Sequence, residues 1–214
     1  MDRLRQQCWR MCGVYTAVAM QACTLGAGGD EAMANPTLRG DAGSASHNAA
    51  VVPVSARAIQ IERRGMRAGW DRQGDRLDVS LEAPTQGWVL IGFNTEQGLQ
   101  GARLVFVHVR PQHHAQGEVH RTDLKRYPAP YHKPRTAIGG TNAITAVRGV
   151  EDTKGTRVSF SVPLDSGEPD DVVLRPGASM HVILAWSQSD DTNHHSAMRT
   201  AVDMVVVPDV TSAP

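Results

Sequence analysis

The sequence predicts an all-β protein built as an antiparallel β-sandwich, and three observations carry that expectation. Short apolar runs recur from Ile59 onward between turn signals, in a chain of 214 residues with 20 glycines and 12 prolines. Leu77-Asp78-Val79-Ser80-Leu81 alternates apolar and polar residues with period two, the pattern of a half-buried strand. No stretch of twelve or more residues holds a 3.6-residue period without Gly or Pro, so no long amphipathic helix competes.

The elements follow in order. Ala83-Pro84-Thr85-Gln86-Gly87 is turn material, and Trp88-Val89-Leu90-Ile91-Gly92-Phe93 reads as a buried strand. Residues 103–109 form the next strand, with Leu104, Phe106 and His108 on one face and Val105, Val107 and Val109 on the other. Residues 119–124 make a weaker strand, and 157–162, 180–186 and 200–207 bring the expected total to seven to nine. The connection 127–149 is too long for a hairpin loop and contains Pro128, Pro130, Pro134 and Gly139-Gly140. Long ordered loops on a rigid sandwich are where function concentrates. The polar connection 187–198 carries His194-His195.

The N-terminal part reads as processing rather than fold. Arg3, Arg5 and Arg10 precede a mostly apolar run, 11–27, and Ala32-Met33-Ala34 supplies small residues at the spacing of a signal-peptidase site. An alternative is lipidation of Cys23 after Met20-Gln21-Ala22. The expected organisation is therefore a signal peptide over 1–34, a linker or loosely packed lead-in over 35–56 and the sandwich over 57–214. Export to the periplasm or beyond follows, with membrane contact only through a lipid on Cys23. Cys8, Cys12 and Cys23, the only cysteines, all precede residue 34, so a chain cut after Ala34 would have no disulfide and no thiolate metal site.

Composition excludes several functions. Twenty-two basic residues balance 22 acidic ones, which leaves no basic surplus for a broad nucleic-acid surface. Hydrophobic residues at 41% and charged ones at 21% describe a globular chain rather than a disordered one. There is no Gly-x-Ser-x-Gly elbow, and Gly139-Gly140 lacks the lysine of a phosphate loop, so no covalent catalysis is expected. His113-His114 reads as a hydrophilic hairpin tip, because adjacent side chains on an extended chain point to opposite faces. His108 reads as an inward hydrogen-bonded histidine; His120 and His181 share that ambiguity. Asp165, Asp170-Asp171 and Asp190-Asp191 lack calcium-loop spacing and read as turn and strand-end residues.

Taken together, Gly87-Trp88-Val89-Leu90-Ile91-Gly92-Phe93, Gly98-Leu99-Gln100-Gly101-Ala102, Tyr131-His132-Lys133-Pro134-Arg135, Val158-Ser159-Phe160-Ser161-Val162-Pro163-Leu164-Asp165, Leu174-Arg175-Pro176-Gly177 and His194-His195-Ser196 resemble the DOMON family. The resemblance runs from about residue 70 to 207. It implies an immunoglobulin-like antiparallel β-sandwich that binds b-type haem or sugar outside the cytoplasm. Some haem-binding relatives use a Met in the loop after the Gly-Trp strand and a His near the C-terminal strand. His195 fits the second position; Leu99 stands about where the Met would be, and leucine has no lone pair for iron. His132, in a stretch similar to a His-containing segment of prokaryotic members, is the preferred second axial ligand, ahead of Met198.

The leading expectation is thus an exported domain that binds haem b through His195 and His132 for electron transfer or haem sensing, with a redox protein as partner. The alternatives are a haem-free module for a carbohydrate or other small ligand, with Trp70 or Tyr131 as stacking surface, and a structural accessory domain of a membrane complex.

Overall fold

A computed structural model describes residues 58–110 and 114–208. The signal segment and lead-in expected over 1–34 and 35–56, and Pro111 to His113, lie outside the described residues. Among the described residues eleven strands run in order: β1 Ile59–Arg63, β2 Met66–Gln73, β3 Arg76–Ala83, β4 Val89–Asn94, β5 Arg103–Arg110, β6 His114–Thr122, β7 His132–Pro134, β8 Thr145–Asp152, β9 Gly155–Pro163, β10 Ser179–Trp186 and β11 Met198–Val205. A short 3-10 helix, Arg135–Ile138, follows β7. The strands form two antiparallel sheets, β1-β2-β3-β9-β8 and β11-β10-β4-β5-β6-β7, packed as an immunoglobulin-like sandwich.

Side-chain alternation builds the core. Leu77, Val79, Leu81 and Ala83 of β3 point inward, as the period-two pattern requires. They meet Val89, Ile91 and Phe93 of β4, Val105, Val107 and Val109 of β5 and Val182 and Leu184 of β10. All six residues of β4 are buried, which explains its continuous apolar run. Its opposite face belongs to a second apolar cluster, outside the sandwich core: Trp88, Leu90, Ala102, Leu104, Phe106, Ile183 and Ala185. The β1–β2 hairpin turns on Arg64-Gly65, whose φ angles of 50° and 79° are the left-handed pair that a two-residue hairpin demands.

Three expectations need correction. Among the described residues the strands number eleven rather than seven to nine, because Met66-Arg67-Ala68-Gly69-Trp70 of the β1–β2 hairpin lacks clean alternation and β7 and β8 fall within the connection read as a loop. The connection 127–149 is not one long loop; it holds β7, the 3-10 helix and the start of β8. Trp70 is not an exposed stacking surface. It is 1% exposed, lies opposite Val79 of β3, and its Nε1–H donates to the Val206 carbonyl at 2.9 Å.

Candidate functional site

The register of the six-stranded sheet lays out a floor on its outer face. One row crosses five strands as Arg199, Ala185, Leu90, Phe106 and Glu118; the next runs Ile183, Gly92, Leu104 and His120. Glycine at 92 is required here, since a Cβ would stand 2.7 Å from Leu104 Cδ2. Over this floor lies a pocket of about 370 Å³, lined by Trp88, Leu90, Leu104, Phe106, Ile183 and Ala185 below. That volume falls in the ~300–1,000 Å³ range of small-molecule sites.

Two segments wall the pocket, one on either side. The first contributes Ala129, Pro130, Tyr131 and His132. β7 pairs with the end of β6 through Thr122 opposite His132, which sets His132 on the same outer face as His120. Asn142 completes the edge of β6 by accepting from Val119 N–H and donating to the Gly117 carbonyl, each at 2.9 Å. The 3-10 helix after β7 is anchored by Arg135, 5% exposed, whose guanidinium lies 3.0 Å from Asp171.

The second segment is the connection after β10, which contributes Asn193, His194, His195 and Ser196. It is seated on Gly87-Trp88. Trp88 N–H donates to the Ser189 carbonyl at 3.1 Å, and Ser187 N–H donates to the Trp88 carbonyl at 3.0 Å. The Thr85 hydroxyl donates to the Ser187 carbonyl, fixing the same turn from below. His194 Nδ1–H donates to the His195 carbonyl at 3.1 Å, while the exposed His195 ring has no partner among the described residues. Leu99 lines the pocket from a third loop, held by Asn94, whose amide donates to the carbonyls of Gly98 and Gln100.

His132 and His195, chosen from sequence, therefore share one pocket, and Tyr131 lies there too, half exposed at its rim. Met198 is buried in the sandwich core instead. His108 is buried but does not line the pocket, and His181 Nδ1 sits 2.5 Å from Asp203. His114 is exposed at the start of β6. Among the described residues no group of three or more His, Cys, Asp or Glu side chains is placed to hold a metal ion.

Sequence reasoning gave little weight to His120 and none to Glu118. His120 Nδ1 lies 3.0 Å from His132 Nδ1, and its Nε2 lies 3.0 Å from Glu118 Oε2. Phe106 packs on both rings, 4.7 Å from His120 and stacked at 5.0 Å on His132. Burial lowers the pKa of His120, with Glu118 opposing, and burial followed by the neighbouring His120 lowers that of His132 to about 4. Both rings are neutral near pH 7. The local signal was the two-residue spacing of Glu118 and His120, which sets both on one face of an extended strand; their place beside Phe106 and His132 is a matter of register.

The fold and the pocket define a ligand-binding β-sandwich, with an apolar floor and imidazole-bearing walls on the outer face of one sheet. The DOMON domain model matches residues 63–187, and the chain belongs to that family. DOMON domains are typically extracytoplasmic ligand-binding domains. No curated protein matches the sequence. Among the described residues no helix is long and apolar enough to cross a membrane.

Proposed function

We propose that this domain binds b-type haem, which His132 and His195 would hold, for electron transfer or haem sensing in an exported protein that performs no covalent catalysis. The observation that supports it is that both histidines line a single pocket over an apolar floor. The residues fit the group. The His195 ring has no partner among the described residues, His132 is neutral with one nitrogen left after its contact to His120, and the floor offers Trp88, Leu90, Leu104, Phe106, Ile183 and Ala185. Leu99 contributes shape and no donor atom.

Bound haem supplies one-electron chemistry at its iron. The chain's own residues do the rest. The apolar floor would exclude water from the buried side of the pocket, which lowers the local dielectric. Arg199, at the end of the floor row and without a partner among the described residues, is placed to meet an acidic edge of the ligand. A redox partner would approach at the exposed 193–195 and Tyr131 rim.

One observation favours a second reading. Tyr131, half exposed, lines the same pocket as Asn193, His194 and Arg199, the kind of stacking and hydrogen-bonding set that a carbohydrate uses. The visible spectrum of the exported protein, produced with haem available and recorded before and after dithionite, separates the two. A Soret band that sharpens with α and β bands on reduction, altered in His132→Ala and in His195→Ala, supports haem. A colourless protein that takes up no added haemin overturns it, and glycan binding by that protein establishes the second reading.

A further inference from the structure

We infer that Glu118 and His120 form a proton-ordering relay that holds His132 as its Nδ1–H tautomer, leaving Nε2 as the nitrogen with a lone pair for the ligand. The inference rests on the haem reading only for the identity of that ligand; the relay itself is a property of the chain's own side chains.

The order of protons follows from the acceptors. An ionised carboxylate only accepts, so the 3.0 Å contact between Glu118 Oε2 and His120 Nε2 places a proton on that nitrogen. His120 is 1% exposed, and a second proton on it would bury a cation in the layer above the sheet. Its Nδ1 therefore carries a lone pair. The 3.0 Å contact between the two Nδ1 atoms needs one proton between them, and His132 must supply it. With Nδ1–H committed, His132 Nε2 is bare. Phe106, packed at 4.7 and 5.0 Å on the two rings, opposes the ring flips that would undo this order.

The reverse order has a different consequence. Were His132 Nδ1 the acceptor, its proton would sit on Nε2, and the nitrogen left for the pocket could donate but not ligate. Glu118 and His120 are thus positioning residues: they touch no ligand and act through His132. Hydrogen bonds of this kind behind a ligating histidine are commonly worth about 10–100-fold in affinity.

The test reads the tautomers directly. Long-range ¹H–¹⁵N spectra of the haem-free full chain at about pH 7.5 are expected to show His120 as Nε2–H and His132 as Nδ1–H. In His120→Phe, which keeps a ring against Phe106, His132 loses its acceptor and is expected to shift to Nε2–H. Glu118→Ala, at a half-exposed position, is expected to give mixed tautomers at both rings, and guards against a folding failure in the first variant. His132 found as Nε2–H in the parent protein, or unchanged in both variants, overturns the relay.

A loaded-protein measurement extends it: haemin affinity is expected to fall about 10–100-fold in His120→Phe. The two readings fail separately. Tautomers as expected without haemin uptake keep the relay and overturn haem; haemin uptake with His132 as Nε2–H does the reverse.

Discussion

The backbone of Ser189 lies against Gly87 so closely that a Cβ at position 87 would stand 2.4 Å from the Ser189 nitrogen. The glycine before the central strand is therefore the seat of the connection that bears His194 and His195. Trp88 adds a second hold, its Nε1–H donating to the Asp191 carbonyl at 3.0 Å. The Gly-Trp pair of the sequence has a physical meaning: a strand start that a histidine loop can rest on.

Gly87→Ala is expected to displace that loop, since the atoms it would strike are backbone and cannot rotate away. The cost should be about 1–3 kcal/mol, the range for overpacking a close contact. Urea denaturation of the haem-free protein measures it. An unchanged midpoint, together with unchanged amide shifts at 187–195, would contradict the seat.

Asp171 holds two guanidiniums at once, Arg135 at 3.0 Å and Arg103 at 3.6 Å, with all three side chains at most 5% exposed. Burial lowers the Arg103 pKa, and Asp171 is the largest opposing influence. Asp171→Ala would leave two buried cations without their anion. The expected loss is about 3–5 kcal/mol, as for removing one partner of a buried ion pair. It should also loosen the 3-10 helix and the adjoining β7, so amide exchange at 132–138 is expected to rise.

How much of this was legible in the sequence depends on register. Leu77 to Leu81 and Leu104 to Val109 alternate cleanly, and the structure orients them as the alternation says. β8 escaped notice because its pairing with β9 is bulged between Thr145 and Arg148, which breaks the period. β7 has three residues, too few to show a period at all. His132 and His195 were reached by resemblance, while the Glu118–His120 link was not. That link depends on Leu104 lying opposite His120 and Phe106 opposite Glu118, and on β6 starting at His114 rather than at residue 119. No local pattern encodes a cross-strand register.

Acid should destabilise the haem-free protein before its carboxylates protonate. His132 titrates at about 4 when folded and His120 below its ordinary 6.5, both because burial disfavours the charged ring. In the unfolded chain both titrate near 6.5. Between these limits the unfolded state binds more protons, so stability rises with pH in that window. The contribution is complete above about pH 6.5 and is lost as pH falls toward about 4. Urea midpoints at a series of pH values should therefore decline across this range, and less steeply in His132→Gln. Equal slopes in the two proteins would show that His132 is protonated without penalty.

The pocket itself can be tested without knowing its ligand. Ala185 sits in the floor row between Leu90 and Arg199, with its side chain on the outer face. A larger side chain there enters the pocket rather than the sandwich core, so Ala185→Phe removes ligand volume from a space of about 370 Å³. Placing a ring where a ligand must lie costs binding about 1–3 kcal/mol. At about 1.4 kcal/mol per tenfold, that corresponds to a loss of roughly 5- to 150-fold in affinity. The same loss is expected whether the titrant is haemin or a glycan, because the floor serves either. The control is Ala201→Phe, opposite Ile183 on edge strand β11, where the residue is exposed and does not line this pocket. Weaker binding in Ala185→Phe alone places the ligand on this face; equal binding in the two variants and the parent would move the site elsewhere.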